Sequence, residues 1–266
     1  MKNDKRFLVD VELNNLPFPI KVVSRDNNNG QQTIANVSIV ARIMHDFEAK
    51  WINKFIQILH NHRDTIGTKT MSKNIMEYFN SLNASMVKID FDYPFFMEKT
   101  TPVSNEKCLV KYQCTYSEKK STVMVPKVLL KIEVPVITSY PEMSPIESRS
   151  LFGQLSLVIV TIESAADIYP ESIIEIVEKN ALSPVYSFLS EDDEAFLIQK
   201  IHNNQKTSVE VIDDIKNELS LNQNIEWGSV RCKNYGMLHN YATIVGTEKS
   251  LWVPGSGYDE DLDSYI

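Results

Sequence analysis

Apolar and polar side chains alternate with a period of two in several stretches of the first half of the chain, which predicts β-strands. The predicted strands are Phe18–Ser24, Gln32–Ile43, Met86–Tyr93 and Lys107–Tyr116. Between the second and third strands, apolar residues recur every three to four positions, which predicts helices over Asp46–His60 and Ser72–Leu82. A turn is predicted at Asn27–Gly30, whose sequence is NNNG. The first half therefore has the order strand pair, helix pair, strand pair.

The second half repeats this order after a charged spacer at Ser117–Ser121. Its predicted strands are Val123–Ile137, Leu151–Glu163, Glu226–Cys232 and Leu238–Val245, and its predicted helices are Pro170–Lys179, Asp192–His202 and Ser208–Leu219. Two successive units of this kind predict an α+β fold, with antiparallel sheets that carry helices on one face. We assign the first module to residues 1–118 and the second to residues 119–254, and we expect residues 255–266 to form an acidic, mobile tail.

Composition excludes several classes of protein. The chain has 266 residues, of which 43% are hydrophobic, and a net charge of −8 without a basic stripe, so binding to nucleic acid is not expected. No apolar run approaches the roughly 18 residues of a membrane helix. The charged N-terminal sequence MKNDKRFLVD lacks the apolar segment of a secretory signal, so we expect a cytoplasmic protein. The 3 cysteines form no CxxC pair, which argues against a disulfide framework.

Several segments, in chain order, resemble motifs of the type IB GTP cyclohydrolases. They are QQTIANV at Gln31–Val37, FDYPFFMEKTTPVS at Phe91–Ser104, EVPVITSYPEMSPIESRSLFGQLS at Glu133–Ser156 and IIEIVEKNALSPVY at Ile173–Tyr186. The most specific of these is Phe91–Ser104. The resemblance implies two tandem tunnelling-fold modules per subunit and homo-oligomers, usually tetramers, with active sites at subunit interfaces. It also implies a metal held by Cys, His, Glu and His that activates water to attack C8 of guanine.

The resemblance carries only part of that metal site onto this sequence. Glu194 and His239 fall on two of the ligands, whereas Tyr140 stands in place of the cysteine and Phe152 in place of the other histidine. A protonated phenol is a poor ligand, Phe has no donor atom, and zinc normally needs at least three protein ligands. We therefore expect a divalent metal (Zn, Mn or Fe) to bind weakly or not at all, and Tyr140 and His239 become the candidate catalytic residues.

Two acidic residues of the same loop offer an alternative metal site. Glu142 or Glu147 would supply a missing ligand only if the loop were rearranged.

The substrate side is also only partly preserved. Glu210 falls on the glutamate that holds the N–H edge of the base in the family, and Gln154 and Lys99 are further candidate substrate-binding residues. An acidic residue at a helix start also stabilises the helix dipole, so a purely structural role for Glu210 stays open. Positions that are basic in the family's phosphate site are here occupied by other residues: Glu48, Ser144 and Leu155. A triphosphate needs several cations or helix N-termini, so its recognition is not expected.

Three functions remain open from the sequence. The first is a divergent enzyme that acts on a purine- or pterin-type ring with fewer phosphates. The second is an inactive paralogue that binds a ligand or a partner subunit. The third is an ordinary GTP cyclohydrolase that makes dihydroneopterin triphosphate. The third is weakened because no cysteine lies between Cys114 and Cys232.

Overall fold

The computed structural model describes residues 7–44, 50–140, 152–164, 166–236 and 240–251. Its strands are β1 Leu8–Val22, β2 Gln31–Met44, β3 Met86–Thr100, β4 Lys107–Ser121, β5 Met124–Ser139, β6 Gly153–Glu163, β7 Ser183–Pro184, β8 Trp227–Asn234 and β9 Thr243–Glu248. Its helices are α1 Trp51–His62, α2 Thr68–Ser81, α3 Pro170–Asn180, α4 Glu191–Asn203 and α5 Ser208–Ser220. Among the described residues, no helix has both the length and the apolar character needed to cross a membrane.

The strands form one antiparallel sheet in the order β1-β2-β3-β4-β5-β6-β8-β9, and the short strand β7 pairs with β5. Each half contributes a strand pair, helices and a second strand pair, as the sequence predicts. The predicted α+β fold with an antiparallel sheet and helices on one face is therefore confirmed.

Alternating burial along the strands separates the helix-covered face of the sheet from the open face. In β5, the side chains of Ile132, Val134 and Val136 are fully buried, while the alternating residues are partly exposed. The helices close this core with Phe55 of α1, Ile75 of α2, Ile174 of α3 and Ile215 of α5, all of which are fully buried. The core depends on the period-two pattern of the strands meeting the apolar stripe of each amphipathic helix.

Helix α4 lies at the end of β5 and β6. A Cβ atom at Gly153 would come within 2.7 Å of Cγ2 of Ile201 and 2.9 Å of Cγ2 of Ile137. Glycine at the first residue of β6 therefore allows α4 to approach this end of the sheet closely.

The structure corrects the predicted spacer at Ser117–Ser121. These residues are the end of β4, and they pair in register with residues 86–90 of β3. The two charged residues Lys119 and Lys120 led to the prediction of a spacer. Backbone pairing with β3 does not require an apolar side chain, so charged residues can continue the strand. The sheet is continuous at residues 118 and 119, so the two-module division rests on the repeated order of elements, and residues 255–266 lie outside the described chain.

Several element ends also differ from the predictions. Strand β1 begins at Leu8, well before the predicted Phe18, and β3 continues to Thr100. Helix α4 begins at Glu191 because Ser190 caps it: the Ser190 hydroxyl accepts the Asp193 N–H, and the Asp193 carboxylate accepts the Ser190 N–H in return.

Candidate functional site

Tyr140 and Phe152 lie beside each other at the end of the β5–β6 pair where the chain passes from β5 to β6. The ladder between these strands ends with Ser139 opposite Gly153. One residue further on, the backbone N–H of Tyr140 donates a hydrogen bond of 2.7 Å to the carbonyl oxygen of Phe152. The Phe152 side chain is exposed and that of Tyr140 is partly buried. The alternative metal ligands Glu142 and Glu147 lie between them in the sequence, as does Ser144 of the predicted phosphate side, and all three are outside the described residues.

A buried network of polar side chains lies directly beneath this pair. The Ser156 hydroxyl shares a 2.8 Å hydrogen bond with Thr138 and donates another of 2.8 Å to Oδ1 of Asn234, and Nδ2 of Asn234 donates to the Ser208 hydroxyl at 3.1 Å. The network joins β5, β6, β8 and the start of α5. Sequence reasoning missed Asn234 and Ser208, because isolated Asn and Ser residues in a strand or helix carry no spacing signal.

Gln154, a predicted substrate-binding residue, belongs to the same buried layer. Its side chain is only 5% exposed, and its amide nitrogen donates to the Ser139 carbonyl at 3.2 Å. The structure thus places Gln154 next to the candidate site with its amide in a structural hydrogen bond.

The N-terminus of α5 is attached to the same strand end. Lys206 and Ser139 exchange two hydrogen bonds, from the Lys206 N–H to the Ser139 hydroxyl at 2.7 Å and from the Ser139 N–H to the Lys206 carbonyl at 2.8 Å. These bonds fix the position of the first turn of α5, which carries Glu210.

Glu210 completes a capping box at the start of α5. Its Oε2 atom accepts the Thr207 N–H at 2.6 Å and the Thr207 hydroxyl at 2.8 Å, and these two bonds lower the pKa of the exposed carboxyl below its ordinary value. Within the described residues, no hydrogen bond to the other oxygen, Oε1, is seen. The carboxylate is therefore ionised, with one oxygen held by the helix start.

Glu194 lies on the rim of an apolar groove of about 240 Å³ beside the same strand end. The groove runs between α4 and the segment that follows β7, and its lining includes Ile137, Tyr186, Leu197 and Ile201. The Glu194 side chain is exposed. The groove can hold an apolar or flat aromatic group beside a carboxylate.

Lys99 lies behind the groove in a partly buried ion pair. Its ammonium contacts the Glu178 carboxylate, which also accepts the Tyr112 hydroxyl at 2.6 Å, and it lies 5.2 Å from the ring centroid of Tyr186, a groove residue. Burial lowers the pKa of Lys99, and the Glu178 carboxylate opposes this effect. Because Glu178 balances its charge, Lys99 offers little positive charge to an anionic ligand.

His239 lies outside the described residues, although the strands that flank it are known. Asn234 at the end of β8 pairs with Ser156 of β6 and with Thr243 at the start of β9. The β8–β9 connection therefore leaves and re-enters the sheet at the end where Tyr140 and Phe152 lie.

The described residues do not supply the donor set of the metal site implied by the resemblance. Phe152 contributes no donor atom and Tyr140 contributes a phenol. In the described ranges, no three His, Cys, Asp or Glu side chains come together as a metal-binding group. The structure thus brings Tyr140, Phe152 and Gln154 to one sheet end, with Glu210 and Glu194 on the two helices that adjoin it.

Sequence comparisons identify relatives along nearly the whole chain. The sequence model of the family described as type I GTP cyclohydrolase FolE2 matches residues 3–244. The GTP cyclohydrolase FolE2 of Citrifermentans bemidjiense is 29% identical over 240 residues, which cover 90% of this chain and 89% of the relative. The GTP cyclohydrolase FolE2 of Geobacter sulfurreducens is 27% identical over 239 residues, which cover 90% of this chain and 92% of the relative.

Comparison with solved structures establishes the fold. Uricase from Arthrobacter globiformis aligns with a TM-score of 0.55 at 9% identity, covering 97% of this chain and 98% of the uricase. Urate oxidase from Bacillus sp. TB-90 aligns with a TM-score of 0.52 at 8% identity, covering 90% of this chain and 97% of that enzyme. These neighbours confirm the predicted tunnelling fold. Because the family match extends over most of the sequence, this chain belongs to the type I GTP cyclohydrolase FolE2 family.

Proposed function

We propose that this chain is a divergent cyclohydrolase that acts on a purine- or pterin-type heterocycle, with weak or no metal dependence and without recognition of a triphosphate. We further propose that it acts as a homotetramer in the cytoplasm. The observation that carries the proposal is the Tyr140–Phe152 pair. In the register that the resemblance implies, these two residues stand at the cysteine and histidine positions of the family's metal site, and neither supplies a strong metal donor.

The charges around the site support a ligand with few phosphates. Leu155, which replaces a family arginine, is an exposed apolar residue. Lys99 is neutralised by Glu178, and the Lys206 ammonium contacts the Asp214 carboxylate. Binding a triphosphate requires several unpaired cations, and these described lysines are already paired.

The reaction we propose is hydrolysis of a cyclic amidine. Water adds to the amidine carbon, a base accepts the water proton, and an acid protonates the ring nitrogen so that the C–N bond breaks. We assign the base to His239 and the acid to Tyr140, because the resemblance aligns both with metal-ligand positions and because imidazole and phenol can each transfer a proton. Glu210 is the proposed anchor, with Oε1 accepting an N–H of the heterocycle.

Turnover assays on matched variants test this proposal. Purified protein is incubated with guanosine, guanine, GTP and pterins, and opening of the ring is followed by the change in its absorbance. Tyr140→Phe, which removes only the phenol oxygen, is expected to lower turnover roughly 100-fold, the usual effect of removing a general acid. Tyr235→Phe, at an exposed tyrosine that is not a predicted site residue, serves as the control. A metal-dependent turnover of GTP that Tyr140→Phe leaves unchanged would refute the proposal.

One observation favours an inactive, ligand-binding paralogue as the second candidate. The capping box gives Glu210 a structural role, so its retention does not require a substrate. Binding of a heterocycle without turnover of any would support this candidate, and turnover sensitive to Tyr140→Phe would exclude it.

A further inference from the structure

Helix α4, which carries Glu194, is held by a turn of the first module. The turn connects β3 to β4 and includes Val103 and Ser104, which end the motif FDYPFFMEKTTPVS. None of these turn residues lines the groove beside Glu194. The motif that matches the family most specifically therefore ends in a turn that does not line the groove, and the contacts of this turn lie elsewhere.

Asp193, in the first turn of α4, contacts the turn that contains Val103 and Ser104. Its side chain is fully buried, and its Oδ1 atom accepts the Val103 N–H at 2.8 Å and the Ser104 N–H at 3.0 Å. Its Oδ2 atom accepts the hydroxyls of Ser104 and Ser190, each at 2.7 Å, and the Ser190 N–H at 3.0 Å. Burial alone would raise the pKa of this carboxyl, but the hydrogen bonds from Ser104 and Ser190 outweigh it and hold the pKa below its usual range.

The segment before α4 is tied to the same hairpin at two further points. The Ser187 hydroxyl donates to the Leu109 carbonyl at 2.7 Å, and Lys99 contacts Glu178 and the Val185 carbonyl, the latter at 3.4 Å. The first module thus holds one wall of the groove and the first turn of the helix that forms the other wall.

We propose that Asp193 is a positioning residue that binds the Val103–Ser104 turn and thereby fixes Glu194 at the rim of the groove. Glu194 is the next residue in the chain, and its own N–H donates to the Ser190 carbonyl at 3.0 Å, inside the turn that Asp193 holds. This inference rests on the proposed function only in treating Glu194 as a site residue. The first module then shapes the site of the second module without touching the ligand.

Hydrogen exchange on Asp193→Asn tests the inference directly. The amide nitrogen of asparagine donates, so it cannot accept the bonds that one carboxylate oxygen receives. Amides of the first turn of α4 and of Val103 and Ser104 are expected to exchange at least roughly tenfold faster, with β6 and β8 unchanged. Asp192→Asn is the matched control, because Asp192 is exposed on the same helical turn and loses the same charge.

A second variant and a binding measurement complete the test. Ser104→Ala removes one donor to Asp193 and is expected to change exchange in the same segments. It serves as the test variant if Asp193→Asn does not fold.

Guanosine affinity, measured well below the melting temperature, is expected to fall about tenfold in Asp193→Asn and not in Asp192→Asn, because small misplacements of site residues weaken ligand contacts. Unchanged exchange in α4, or an equal increase throughout the sheet, would overturn the positioning role. If the wild type binds no guanosine, the proposed function fails while the exchange result still decides this inference.

Discussion

The backbone N–H of Tyr140 donates to the carbonyl oxygen of Phe152 at 2.7 Å, across the ends of two neighbouring strands. A backbone hydrogen bond of this kind fixes the spacing of the two Cα atoms whatever the side chains are. The frame that would bring a cysteine and a histidine together is therefore present, and the side chains at its two positions are a phenol and a phenyl ring.

Introducing the cysteine and histidine that the resemblance implies at these positions is expected to create a metal site. We predict that the wild type retains well under one equivalent of zinc, manganese or iron after dialysis. The double variant Tyr140→Cys/Phe152→His is expected to retain close to one equivalent, because two donors are added to Glu194 and His239 on an existing frame. Elemental analysis of both dialysed proteins measures this.

The control for metal binding is the double variant with Glu194→Gln added. It should lose the gained metal if Glu194 is a ligand. A wild type that holds one tightly bound equivalent would contradict the prediction and favour an ordinary GTP cyclohydrolase.

A buried carboxyl in the first module predicts a specific dependence of stability on pH. The Glu118 side chain on β4 is 1% exposed, and burial raises its pKa from 4.5 to about 9, while a hydrogen bond with the Ile75 backbone opposes the shift. The folded protein therefore keeps this proton up to about pH 9, whereas the unfolded chain releases it near pH 4.5. The stabilisation from this group is complete below pH 4.5 and is lost as the pH rises towards 9.

Glu118→Gln removes this titration and keeps the shape of the side chain. The free energy of unfolding of the variant relative to the wild type is expected to increase by a few kcal/mol between pH 5 and pH 8. Urea denaturation at both pH values measures it. The exposed Glu106→Gln is the control, and a difference that does not depend on pH would show that Glu118 is ionised in the folded protein.

The fold followed from the sequence because both of its periodic signals are strong. Alternation predicted the strands of both halves. The resemblance paired Tyr140 with Phe152, and the structure places these two residues side by side although 12 positions separate them. The missed strand at Ser117–Ser121 shows the limit of the pattern: backbone pairing with β3 determines that segment, and Glu118 is buried although its side chain is ionisable.

The roles of individual carboxylates could not be predicted from the sequence to the same extent. Asp193 and Glu194 are adjacent in an acidic run, yet one is buried under five hydrogen-bond donors and the other is exposed on the groove. The difference arises from a turn about 90 residues away in the chain, at Ser104. Contacts of that range leave no local pattern.

The sheet's outer strands are available for association with another chain, and the homotetramer proposed above is the expected assembly. Among the described strands, β1 and β9 each pair with a single neighbour, and Ile244 on β9 is exposed. Unpaired strand edges favour association with another chain. Light scattering is expected to give a mass about four times the 30.5 kDa of one chain, and Ile244→Asp is expected to reduce it.

The control for assembly is Val123→Asp. Val123 is 90% exposed at the turn between β4 and β5, away from both outer strands. A wild type that remains near 30.5 kDa at micromolar concentration would contradict the tetramer.

The affinity for the ligand is expected to depend on Glu210 and not to increase when the ligand carries phosphates. If Oε1 accepts an N–H of the heterocycle, Glu210→Gln should weaken guanosine binding by about 2–4 kcal/mol, because a charged acceptor is lost from a desolvated contact. Asp213→Asn is the matched control on the same helix, since its carboxylate contacts only Lys216 and Asn217 among the described residues.

Calorimetry should also show GTP binding no better than guanosine, because Leu155 and the Lys99–Glu178 pair offer a triphosphate no free cation. A preference for GTP greater than about tenfold would reject the altered phosphate side. Equal affinities of Glu210→Gln and the wild type would leave the Thr207 cap as the only role of this carboxylate.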